Sequence, residues 1–146
     1  MTSTDLKKIF NQKKQKTERK VSKKGIVKEK LIEGFEKTTF EEFQAWFKNS
    51  KYENGCKYCG TSSADTFELY NDAISKKRHD WTRGGKRGKR LELDRVDASK
   101  KYDDLKNLVW CCYWCNNAKS NFFSKDEFGP IAQEIGKAIK KIMGRH

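Results

Sequence analysis

The sequence has no long apolar run and few apolar residues overall. Hydrophobic residues make up 35% of its 146 positions and charged residues 36%. No stretch approaches the ~20 apolar residues that span a bilayer. The first residues also lack the apolar core of a secretory signal. Acidic residues are in deficit: 20 Asp and Glu stand against 33 Lys and Arg, a net charge of +13. A surplus of that size bears on partners rather than on fold. Together these features predict a soluble, intracellular, polyanion-binding chain with no membrane contact. There are no internal repeats. A chain this short can bury only a modest core, and such cores usually need a staple.

Cysteine is where the staple lies. Of five cysteines, four form two C-x-x-C pairs, Cys56/Cys59 and Cys112/Cys115. In a reducing compartment that spacing argues for metal rather than disulfides. Thiolate pairs two residues apart form knuckles whose sulfurs converge on zinc at ~2.3 Å. Two knuckles close a tetrahedron and leave no position for substrate, so one structural Zn²⁺ per chain is expected. Strand alternation points Cys111 away from Cys112, which makes Cys111 core filling; Cys111 in place of Cys112 is the lesser alternative.

The chain divides by composition. Residues 1–34 read as a basic N-terminal arm, with eleven Lys and Arg between Lys7 and Lys30 against Asp5, Glu18 and Glu29. Its apolar residues look too sparse for an amphipathic stripe. It is expected either as a solvated leader or as an arm along DNA phosphates. Residues 35–146 read as the zinc-stapled domain. Thr39 and Glu42 form a capping box, and Phe40, Phe43, Trp46 and Phe47 recur at helical spacing, predicting a core-facing helix near 40–49. A short helix is expected over 63–75. Residues 76–90, "KKRHDWTRGGKRGKR", hold eight basic residues and one acid. They read as a DNA-contacting loop, with Arg78, Arg83, Lys86, Arg87, Lys89 and Arg90 as the candidate DNA-binding residues.

Further on, "RLELDRVD" alternates like a half-buried strand. A turn-rich connector, "KKYDDLKN", precedes a second strand, "LVWCCYW", and a helix opening at "CNNAKSNFF". A second capping box, Ser124 with Glu127, starts a C-terminal helix with Pro130 in its first turns. The expected fold is α+β: a β-hairpin and helix around a Cys₄ site, with flanking helices.

The strings "CKYCG", "LELDRVD", "KKYDDLKN" and "CCYWCNNAKSNFFS" resemble HNH (ββα-metal) endonucleases, and within them PacI-like restriction endonucleases. The resemblance runs from about Phe35 to the C-terminus. It implies a metal-dependent endonuclease that hydrolyses phosphodiester bonds in double-stranded DNA. The expected form is a type II restriction enzyme, a homodimer on a palindromic site, in the cytoplasm of a bacterial or phage-infected cell. Phage-type homing or nicking endonucleases, and a zinc DNA-binding module without catalysis, are the alternatives.

The resemblance places a catalytic Mg²⁺ or Mn²⁺ on Asp94 and Asn116. The chemistry agrees, since a carboxylate and an amide carbonyl are hard oxygen ligands. Asn107 matches the residue that pins the hairpin loop. One position departs from the HNH pattern: the usual base, a His after the Asp, is Arg95 here. Arginine cannot accept a proton, so Arg95 is expected to clamp the scissile phosphate. Tyr102, then His79, are the candidates to activate water, and Lys119 is expected on a DNA phosphate.

Overall fold

The computed structural model describes residues 1–75 and 87–145. Its chain divides into two compact units, one of Met1–Asn49 with Ser99–Asn107, the other of Ser50–Ala98 with Leu108–His146. Among the described residues no helix is long and apolar enough to cross a membrane.

In the first unit, α1 (Ser3–Gln12) starts at a Thr2–Asp5 capping box. Its three buried residues, Leu6, Ile9 and Phe10, follow i, i+3, i+4 spacing. Helix α2 (Phe40–Lys48) starts at the Thr39–Glu42 box, as its sequence predicts, and buries Phe43. Phe10, Phe35 and Phe43 make the core, with ring centroids 5.3–5.6 Å apart. Between α1 and Phe35 the chain forms a two-stranded antiparallel ribbon, β1 (Lys16–Val21) and β2 (Val27–Ile32). The sequence reading assigned no element before Thr39. It missed α1 because three apolar residues suffice once distant aromatic rings cover them.

The connector Ser99–Asn107 is anchored to the same unit by Asp103. Its carboxylate accepts hydrogen bonds from the backbone amides of Glu36 (3.2 Å), Lys37 (3.1 Å) and Thr38 (2.9 Å), and from the Thr38 hydroxyl (2.7 Å). Partial burial raises the Asp103 pKa. The bonds from Thr38, Lys37 and Glu36 outweigh it, so the carboxyl titrates below the ordinary 3.8. A depressed carboxyl contributes stability that is present above the unfolded value and is lost as pH falls through the folded one. Asp103→Ala is therefore expected to cost about 1–2 kcal/mol at neutral pH, as loss of a cap does. Its deficit should shrink on acidification below pH 3.8, which paired thermal melts across pH would check. A deficit that stays constant on acidification would count against this role.

In the second unit, β3 (Glu92–Arg95) pairs antiparallel with β4 (Leu108–Cys111), with Glu92 opposite Cys111 and Asp94 opposite Val109. Helix α4 (Tyr113–Lys119) follows directly, completing a ββα unit. Helices α3 (Ser63–Ser75) and α5 (Lys125–Ile142) flank it, the latter capped by Ser124 and Glu127 and carrying Pro130. The second strand is shorter than expected. It ends at Cys111 rather than running to Trp114, because Cys112 becomes the N-cap of α4 and its sulfur accepts the Cys115 amide at 3.4 Å. Leu93, Leu108 and Trp110 line the buried side of the hairpin. The Trp110 indole donates to Ser50 Oγ at 2.9 Å, and Tyr52 packs edge-on against the ring at 5.0 Å. From α5, Phe128, Ala132 and Ile139 complete the core.

Candidate metal centre and active site

The sulfurs of Cys56, Cys59, Cys112 and Cys115 all lie within 4.8 Å of one another. Two of them, on Cys59 and Cys112, are 3.7 Å apart. Four sulfurs ~2.3 Å from a central ion sit about 3.8 Å apart along a tetrahedron's edges, so this spacing fits zinc. Residues 56–60 supply the first knuckle. The Cys56 amide donates to the Thr61 carbonyl and the Gly60 amide to the Cys56 carbonyl, both at 2.8 Å. Gly60 has φ +78°, a left-handed conformation that glycine adopts without strain. The Lys57 amide donates to the Trp110 carbonyl at 2.8 Å, fastening the knuckle to β4. Helix α5 also approaches closely. A Cβ on Gly136 would lie 2.8 Å from the Cys59 carbonyl oxygen.

Hydrogen bonding to Cys112 and then to Cys115 lowers the Cys56 thiol from 9.0 to about 7 and takes Cys59 lower still. The Cys115 thiol is pushed up by Cys112, Cys56 and Cys59. Four crowded sulfurs thus share protons that a cation would displace. Cys111 is fully buried, lies outside the cluster, and has its thiol raised by burial.

The second constellation is built on β3. Alternation puts Glu92 and Asp94, both half-buried, on one side, and the buried Leu93 and Arg95 on the other. Helix α4 faces the first side. Asn116 Nδ2 donates to Glu92 Oε1 at 3.0 Å, which leaves the Asn116 carbonyl oxygen as its ligating end. The Lys119 ammonium lies 3.3 Å from Asp94 Oδ2 and donates to the Arg95 carbonyl at 3.1 Å. The Tyr58 hydroxyl donates to the same Asp94 oxygen at 2.6 Å. Both contacts fall on Oδ2, so Oδ1 is the oxygen left for a ligand. Asn116 and Lys119 of α4 thus meet Glu92 and Asp94 of β3, and Asn116 directly follows Cys115 of the sulfur cluster in sequence.

Several expected roles change. Lys119, expected on DNA, has a side chain only 1% exposed. Its ammonium is held by Asp94 and a carbonyl inside the protein, out of reach of a phosphate. Arg95 is 8% exposed and sits on the opposite side of β3 from Asp94, because adjacent strand residues point oppositely. Arg87 spans the Glu92 carboxylate, with Nε 3.0 Å from Oε2, and its guanidinium lies 4.9 Å from the Tyr113 ring centroid. Lys89 is exposed, its ammonium 5.7 Å from the Phe67 ring centroid, and Arg90 is half-buried. Asn107 is buried in the turn before β4, its amide donating to the Asp104 carbonyl at 2.9 Å. Tyr102 belongs to the first unit, its ring edge-on to Phe35 at 6.3 Å and 4.3 Å from the Lys13 ammonium. His79, Arg78, Arg83 and Lys86 lie outside the described residues.

Sequence reasoning missed Tyr58 and Glu92. Glu92 was findable, since a residue two before Asp94 on a strand shares its face. Tyr58 was not, because its reach depends on how the knuckle docks. Its phenol is pushed well above 10 by burial and by Asp94, so it donates here and cannot act as a base.

A search of solved structures matches the rare-cutting HNH restriction endonuclease PacI, described for an extraordinary mechanism of DNA perturbation. The two are 26% identical, with a TM-score of 0.55, over 77% of this chain and 70% of that one. The fold is HNH-like. No family model and no curated protein matches the chain. In this HNH-like fold, β3, β4 and α4 are the ββα unit, and the Cys₄ cluster joins the knuckle before it to the start of its helix.

Proposed function

We propose that this chain is a metal-dependent endonuclease that hydrolyses phosphodiester bonds in double-stranded DNA. The observation that supports the reading is the set of contacts between β3 and α4, Asn116 to Glu92 and Lys119 to Asp94, in an HNH-like fold. In this proposal Asp94 Oδ1 and the Asn116 carbonyl oxygen hold one Mg²⁺ or Mn²⁺, and the four cysteines hold one structural Zn²⁺. The divalent ion supplies a Lewis acid for charge on the phosphate and the leaving oxygen. The remaining work falls to side chains. Tyr58 and Lys119 fix the Asp94 carboxylate by its other oxygen, and Glu92 fixes the Asn116 amide. The net charge of +13 supports binding to a polyanion. Cutting both strands of a palindrome by a homodimer is the finer form of the proposal.

Supercoiled plasmid incubated with the protein and Mg²⁺ or Mn²⁺ should yield linear product. Nicked circle alone would favour a nicking monomer, and no cleavage with either ion a binding module. Asp94→Ala and Asn116→Ala should each lose about 10²–10³-fold or more in rate, comparable to removing a principal transition-state contact. They should bind DNA with unchanged affinity. Normal cleavage by either variant would refute the site.

A further inference from the structure

The ribbon β1–β2 buries almost nothing. All six residues of β1 and five of the six in β2 are exposed. An isolated two-stranded hairpin is marginal in water, and hydrophobic burial does not account for this one. Its register puts Lys16, Glu18, Lys20, Lys28, Lys30 and Ile32 on one face. Glu18 opposes Lys30, but Lys20 directly opposes Lys28, a like-charge pairing that destabilises a ribbon. Between Glu18 and Glu29 the sequence has Arg19, Lys20, Lys23, Lys24 and Lys28 and no acid. The tip is nonetheless well formed. The Ser22 amide donates to the Ile26 carbonyl at 2.9 Å, the Ile26 amide to Ser22 Oγ at 3.1 Å, and Gly25 turns the chain with φ +74°. A defined turn thus presents four lysines at one end of the ribbon, where the like-charge pair Lys20–Lys28 lies, while Arg19 opposes Glu29 farther back.

Lysines also stand at the ribbon's base, where a groove of about 660 Å³ beside α1 is lined by Lys7, Lys14 and Lys16 together with Phe10, Phe40 and Glu36.

We infer that the β1–β2 ribbon is a DNA-binding element, whose lysine face and tip take backbone phosphates of the duplex. This rests on the nuclease reading for its ligand, but not on the Asp94 site. Size supports duplex DNA. Two strands about 4.8 Å apart with their side chains match a major groove ~12 Å wide, which admits a two-stranded ribbon. A polyanion would also remove the Lys20–Lys28 repulsion, which free protein must carry.

The test uses the full chain and a fluorescent duplex, with no added magnesium, and reads affinity against salt by anisotropy. Each phosphate contact contributes about 0.9 to the slope of log K on log salt. Replacing Lys20, Lys23, Lys24 and Lys28 by Ala should lower that slope by about 2–4 and weaken binding tenfold or more. Replacing the same four by Arg should keep the slope. Replacing Lys125, Lys137, Lys140 and Lys141 of α5 by Ala should change it by less. Near-UV circular dichroism confirms that each variant is folded.

An unchanged slope in the ribbon variant, or an equal fall in the α5 variant, overturns the inference and leaves the nuclease reading standing. Failure of the unaltered protein to bind DNA sinks both. Vesicles of phosphatidylserine and phosphatidylcholine form a second arm. Loss of vesicle binding with DNA binding intact would assign the ribbon to anionic membranes and overturn the inference as stated.

Discussion

Cys59→Ser should leave the second unit without a fixed tertiary structure. Its four clustered sulfurs come from two distant segments, Cys59 and Cys112 being 53 residues apart, and in the proposed zinc site they staple the fold. Those sulfurs hold the knuckle against β4 and fix the first turn of α4. Structural zinc contributes on the order of 10 kcal/mol or more to small folds, as much as a typical domain's net stability. A serine oxygen is a poor substitute for a thiolate in such a set. The variant should therefore lose bound zinc, measured by elemental analysis. It should also lose the cooperative thermal transition and near-UV dichroism of the Trp110 region. Stripping zinc from the unaltered protein with a strong chelator should reproduce the loss, and restoring zinc should reverse it. Retention of a normal transition after zinc removal would show that the cluster is not a staple.

Lys119→Met should reduce cleavage by about 10²-fold or more while leaving the salt dependence of DNA binding unchanged. Methionine keeps much of the buried volume but removes the cation 3.3 Å from Asp94. Removing one member of a buried pair typically costs about 3–5 kcal/mol, because the remaining charge is left uncompensated. Part of that should appear as lower stability. The rest should appear as a misplaced Asp94, so more Mg²⁺ or Mn²⁺ should be needed for half-maximal rate. The two roles for Lys119 predict different salt behaviour. A lysine on a DNA phosphate would take about 0.9 from the salt slope when removed, whereas a buried positioning lysine would take nothing. Wild-type cleavage at wild-type metal demand would remove Lys119 from the mechanism. Tyr58→Phe isolates the hydroxyl's share of the same task, since it deletes only the 2.6 Å hydrogen bond to Asp94.

In the proposed metal site, a carboxylate that takes up an ion with one oxygen gains from having the other fixed. Tyr58 and Lys119 both act on Oδ2. Tyr58 also lies between Cys56 and Cys59 in sequence, so the sulfur cluster and the Asp94 carboxylate are joined through one residue.

Much of this molecule is legible in the sequence by itself. The C-x-x-C spacing determined the four sulfurs, because two-residue spacing closes a knuckle locally. Capping boxes determined the starts of α2 and α5, since Thr39–Glu42 and Ser124–Glu127 complete their own hydrogen bonds within four residues. Alternation in "LELDRVD" determined β3. What only the tertiary structure decided are the contacts between distant segments. Helix α1 is stabilised by Phe35 and Phe43, Asp103 caps a loop 65 residues earlier, and Lys119 turns inward to Asp94. Local propensity carries no record of these, because each depends on which surface arrives opposite. A lysine on a short helix looks the same in sequence whether it meets solvent or a buried carboxylate.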